Sequence, residues 1–114
     1  MNSATNAEDV SILTALADPI RLEIVKRLSK VREVAGVELG RQLGISRALL
    51  CHHAGILVNT GLATRRKAGQ TGYLSLNTAR LRRCLRQLTR RTRASKRPAG
   101  RFRVGAKAVR PKLR

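Results

Sequence analysis

Three of the most chemically specific residues in this 114-residue chain stand in a row, Cys51-His52-His53. Thiolates and imidazoles are metal ligands. Three consecutive residues of a helix, however, project about 100° apart and cannot close on one ion. The run therefore reads as three separate duties. Cys51 falls near the start of a helix and close to Arg47, a setting that favours a thiolate. It is either a reactive thiol, open to oxidants or metalloids, or a small residue that the position tolerates. His52 lies on the polar side of that helix. His53 falls on the side of Leu50 and Leu57 and reads as a structural histidine. The other cysteine, Cys84, sits on an apolar stripe. It reads as core or dimer packing, or as half of a disulfide across a two-fold axis. Two cysteines build neither a disulfide framework nor a four-cysteine zinc site. No metal and no cofactor is expected.

Nor is there a constellation for catalysis. The acids are Glu8, Asp9, Asp18, Glu23, Glu33 and Glu38, all in the first third of the chain. No Ser-His-Asp set or paired carboxylates are legible. The nearest approach to a phosphate loop, KAGQTG at 67–72, lacks the Gly-Lys-Ser/Thr ending. An enzyme is not expected.

The formal net charge is +19, from 25 Lys and Arg against 6 Asp and Glu. From Leu39 onward there is no acid at all. Such a balance points to polyanionic partners, nucleic acid first. No stretch approaches the roughly 18 consecutive apolar residues of a membrane helix. The opening MNSATNAEDV lacks a secretory pattern, so a cytoplasmic location is expected. Residues 93–114 are basic and aperiodic, with Pro98 and Pro111, and read as a disordered basic tail after a domain over 1–92.

The elements that must position these residues follow from periodicity and caps. Ala7, Val10, Leu13 and Ala17 recur at helical spacing, broadened by Ile12 and Leu16. Asp18-Pro19 is an N-cap followed by a proline at the first helical position, opening a helix with Ile20, Ile24 and Leu28 on one face. A short helix over about 35–43 stops at Gly44, and Ser46 caps a further helix over about 47–59. Two helices joined by Gly44-Ile45-Ser46 have the layout of a helix-turn-helix. Residues 62–66 and 72–76 read as a basic hairpin, with its tip near 67–70. A last helix over about 77–92 carries Leu81, Cys84, Leu85 and Leu88 as a narrow apolar stripe that calls for a partner. The fold class is mainly α with a small β-hairpin wing.

These pieces, taken in order, resemble the ArsR/SmtB family of winged helix-turn-helix transcriptional repressors. The resemblance rests on Leu16 to Arg21, Leu43 to Ser46, His52-His53, Gly61-Leu62 and Tyr73 to Leu76, and spans about residues 10 to 90. It implies a homodimer joined through the first and last helices, by residues such as Val10, Leu13, Leu81, Cys84, Leu85 and Leu88. It also implies two recognition helices in successive major grooves of double-stranded DNA carrying an inverted repeat. In the family, one metal site uses a Cys-Val-Cys stretch before Glu-Leu. Here Ala35-Gly36-Val37 stands there. Another site uses acids and histidines on the last helix, which here holds arginines instead.

On DNA, Ser46, Arg47, Ala48, Leu49, Cys51 and His52 would face the groove. Arg47 suits a guanine edge or a phosphate, and His52 can donate to a base or a phosphate. Arg65, Arg66, Lys67 and Gln70 of the wing would meet phosphate or the minor groove. Ala48 and Leu49 stand where the family favours small polar residues, which weakens base readout. The function expected is that of a sequence-specific DNA-binding repressor without the usual metal ligands. A low-specificity architectural DNA-binding protein is the alternative, and a thiol-based redox or metalloid response through Cys51 is a further sensor reading.

Overall fold

The computed structural model describes residues 3–94, in two compact units, one ending at Cys84 and one beginning at Leu85. The elements run α1 (Ser3–Leu16), α2 (Pro19–Leu28), β1 (Val34–Ala35), α3 (Gly36–Leu43), α4 (Arg47–Asn59), β2 (Ala63–Ala68), β3 (Thr71–Leu76) and α5 (Thr78–Ala94). This is a winged helix-turn-helix. The basic tail expected at 93–114 lies, beyond Ala94, outside the described residues.

Local chemistry sets the boundaries. The Asp18 carboxylate accepts from the amides of Ile20 and Arg21 at 2.9 and 3.0 Å, satisfying two donors that the start of α2 leaves open. The Ser46 hydroxyl accepts from the Leu49 amide at 3.1 Å and starts α4. Gly44, at φ 68°, closes α3. The Ile45 amide donates to Gly40 and the Gly44 amide to Arg41, the paired bonds of a Schellman ending. Gly61, at φ 83°, ends α4 in the same way, with Leu62 bonded back to Leu57. Both leucines are buried, so this turn also fills the core.

The core of the first unit gathers Ile12, Ala15, Ile24, Leu28, Leu39, Leu57, Leu62 and Leu74, among others. On α1 the buried face is not the stripe that periodicity favours. Ala7, Val10, Leu13 and Ala17 are all exposed, whereas Ile12 and Ala15 are buried. The two faces lie on nearly opposite sides of the helix, and both have helical spacing. Docking on α2 selects one of them. On α5, Cys84 is only 1% exposed and belongs to the core of the chain itself, against which Leu81 also packs. Cys84, placed with the interface residues from the sequence, thus fills the chain's own core instead, while Leu81 is only partly buried beside it. Burial, with Asp9 adding to it, pushes the Cys84 thiol up, so it stays protonated.

The sheet has the order β1-β3-β2 and is antiparallel throughout. The wing strands are longer than the sequence suggests, closing around Gly69-Gln70. β1 pairs Val34 with Leu74 and Ala35 with Tyr73, and a strand of two residues leaves no periodic signal. Asn77 seats the start of α5. Its side chain donates to the Gly61 carbonyl at 3.1 Å and accepts from the Arg80 amide at 3.2 Å.

Candidate nucleic-acid interface

Helix α4 divides cleanly by burial. Leu50, His53, Ala54 and Leu57 face inward, while Arg47, Ala48, Leu49, Cys51 and His52 are exposed along one side. Ser46 is exposed at its cap. The sequence-predicted contact residues of this helix therefore do share one accessible surface.

What holds α4 at its angle is a polar cluster behind it. Arg21 Nε donates to the Ala15 carbonyl at 2.7 Å, near the end of α1, and Arg21 Nη1 lies 3.1 Å from His53 Nδ1. A guanidinium can only donate, so Nδ1 accepts and the ring proton sits on Nε2. Asp18 Oδ2 lies 3.8 Å from the same Nδ1. The Arg21 amide above all, then the Arg21 charge, hold the Asp18 carboxyl below its ordinary range against partial burial. One arginine thus bridges α1, α2 and the recognition helix. His53, 7% exposed, is the structural histidine expected from the sequence. Arg21 as a positioning residue was not legible, because its partner lies 32 positions away.

The wing obeys strand alternation. Arg65 pairs across from Leu74 and Lys67 from Gly72, so both arise on the face that Leu74 turns inward toward the helices. Arg66 pairs with Tyr73 on the opposite face. Its guanidinium lies 4.7 Å over the Tyr73 ring and donates to both Glu33 oxygens, at 2.6 and 3.2 Å. The Arg66 bond, more than its charge, lowers the Glu33 carboxyl. Strand alternation thus sets Arg66 on the opposite face of the wing from Arg65 and Lys67, paired with Glu33 while still exposed. The reason is the two-residue period of the strand together with an acid that only the fold brings near.

Arg47, Arg65 and Lys67 are exposed and make no ion pair among the described residues. The acids elsewhere are occupied: Glu23 by Arg27, Glu38 by Arg41 and Glu8 by Arg80. The outcome is a surface on which helix and wing both offer cationic donors. Gln70 is exposed at the wing tip. Among the described residues no group of three or more His, Cys, Asp or Glu is placed to hold a metal ion, and no helix is long and apolar enough to cross a membrane. Val10 on α1 is 60% exposed, with Leu13 also exposed. On α5, Leu85 and Leu88 are 46% and 42% exposed.

No family model matches the sequence, and no curated protein does. Solved structures do. An ArsR-like transcriptional regulator from Rhodococcus sp. RHA1 matches with a TM-score of 0.73 and 27% identity, over 89% of this chain and 95% of that one. The transcriptional regulator HlyU from Vibrio vulnificus CMCP6 is 36% identical over 64% of this chain and 75% of its own, with a TM-score of 0.56. Reduced HlyU from Vibrio cholerae N16961 is 30% identical over 76% and 90%, with a TM-score of 0.64. With a helix-turn-helix, a wing and relatives of this identity and coverage, the chain belongs to the ArsR family of winged helix-turn-helix transcriptional regulators.

Proposed function

We propose that this DNA-binding transcriptional regulator is a homodimeric, sequence-specific repressor that lacks the usual metal ligands of its family. The observation that carries this reading is the shared exposure of Arg47, Ala48, Cys51 and His52 on one side of α4, with Arg65 and Lys67 aligned on the inward-turned face of the wing. Arg47 is the best base reader, since its guanidinium can pair bidentately with a guanine edge. His52 can donate to a base or a phosphate, and Arg65, Lys67 and Gln70 of the wing supply phosphate or minor-groove contacts. Exposed Val10 and Leu13 of α1 and Leu85 and Leu88 of α5 are the apolar groups proposed to join two copies. Two-fold symmetry then asks for an inverted repeat with half-sites about 34 Å apart.

Two features favour a second reading, a low-specificity architectural binder. Ala48 and Leu49 cannot hydrogen-bond a base, and everything after residue 38 is free of acids. In vitro selection of genomic DNA at about 200 mM salt separates the readings, since counterion release weakens phosphate-only binding steeply and uniformly. Enrichment of one inverted repeat supports the repressor. Binding that only tracks salt supports the architectural protein. The same selection without reductant tests an oxidant or metalloid response through Cys51, whose thiol is exposed on the proposed DNA side of α4. A repeat lost on oxidation and kept in Cys51→Ser supports that response.

A further inference from the structure

A cleft opens between α3, α4 and the wing, with a volume of about 170 Å³. Two glycines line it. Gly72 shares its strand face with Leu74, yet a Cβ placed on Gly72 would meet nothing within 4 Å. A Cβ on Gly36 would reach Leu50 Cδ2 at 3.5 Å and the Gly72 carbonyl at 3.8 Å. The position where a β-strand would normally send a side chain into the protein is therefore empty.

The lining has two characters. Leu50, Ala54 and Leu74 are buried and apolar, and Val37 adds apolar surface. Arg47 and Arg65 are exposed cations, and no acid lines the cleft. A cavity of about 150 Å³ is enough to hold a benzene ring. A cleft of this size, with an apolar floor and two guanidinium groups, suits a ring or short chain bearing one carboxylate. A planar guanidinium pairs bidentately with a carboxylate, as it does with a phosphate, and the apolar floor favours the singly charged organic acid.

From this geometry we infer that the cleft between the recognition helix and the wing binds a small organic carboxylate, and that its occupancy opposes DNA binding. The second half rests on the proposed DNA interface, because Arg47, Arg65 and Cys51 belong to both surfaces. A carboxylate held by Arg47 and Arg65 neutralises two of the cations that DNA would need. A ligand shifts an equilibrium only by its differential affinity for the two states, and here the DNA-bound state has those two arginines engaged elsewhere.

Cys51 is a built-in reporter, since it lines the cleft with its thiol exposed while Cys84 is buried. The test measures the rate at which N-ethylmaleimide modifies Cys51 in the full chain, without DNA, as benzoate is added at constant ionic strength. At saturation the rate should fall at least five-fold. Neutral benzamide should leave it unchanged. Gly72→Leu, which fills the cleft, should abolish protection, and Arg65→Gln, an exposed substitution that leaves the strand intact, should raise the half-maximal benzoate concentration about ten-fold. Equal protection by benzamide, or protection that survives in both variants, overturns the site. The absence of protection in the unmodified chain by both benzoate and hexanoate also overturns it. In a second arm benzoate is titrated against protein bound to genomic DNA at the same ionic strength; displacement over the concentrations that protect Cys51 is expected, and protection without displacement leaves the carboxylate site standing and overturns its link to the interface.

Discussion

Replacing Arg21 with alanine tests how the recognition helix is held. The substitution removes the donor to the Ala15 carbonyl at 2.7 Å and the donor to His53 Nδ1 at 3.1 Å. Ala15 is 1% exposed and His53 is also buried, so neither acceptor readily regains water. An unsatisfied buried group costs about 1–3 kcal/mol. The carbonyl lies at the end of a helix and can partly recover by local adjustment, so the two together come to about 2–4 kcal/mol. For a domain of this size that is a fall in Tm of about 10–25 °C. Arg21→Lys should recover less than half of the loss, because an ammonium cannot span both acceptors as a guanidinium does. The assay is urea unfolding at fixed protein concentration, run as a double-mutant cycle with His53→Ala. The two residues should couple by about 1 kcal/mol or more. A cost for Arg21→Ala below about 0.5 kcal/mol, or strict additivity with His53→Ala, would show that the cluster does not hold α4.

Three other outcomes are expected. Arg47→Ala should cost about 1–3 kcal/mol on a specific site and relax preference at one base position, whereas an equal loss on every sequence marks a phosphate contact; fluorescence anisotropy with single-base variants decides. Leu85→Asp should convert the proposed dimer to monomer in sedimentation velocity, because it places a charge on an exposed apolar position proposed to be covered by a partner. Stability should fall in acid. The carboxyls of Asp18, Glu33 and Glu38 are all lowered in the fold, by the Arg21 amide, the Arg66 bond and the Arg41 bond respectively. A lowered group contributes fully above its ordinary value, 3.8 for Asp18 and 4.5 for the two glutamates, and the contribution is lost as pH drops through the lowered value. Asp18→Asn keeps a capping oxygen but cannot titrate, so its urea midpoint should decline less between pH 5 and 3 than that of the parent chain; parallel declines contradict the assignment.

The helices were legible because their signals are local. Asp18, Ser46 and Gly44 each act within about four residues of themselves, and α4 begins at Arg47 and ends at Asn59 as the caps indicate. The exposed side of α4 followed from the placement of Leu50 and Leu57, since a helix period tells inside from outside once the apolar face is known. Periodicity failed on α1, where two faces of similar character compete and packing on α2 buries Ile12 and Ala15 in preference to Val10 and Leu13. On α5 periodicity left Cys84 between core and interface, and the structure places it in the chain's own core.

The remaining choices belong to the tertiary structure alone. Arg66 reads in sequence like its neighbour Arg65, yet strand pairing turns it to the other face and an acid 33 residues away captures it. Arg21 looks like one more basic residue of α2 until folding places His53 against it. The cleft is lined by Gly36 and Gly72, which are far apart in the chain and which only the fold brings together. Caps, turns and periods are written within a few residues, so composition and spacing determine them. Which face docks, which charges meet and where space is left depend on contacts across the whole chain, and only the assembled structure decides them.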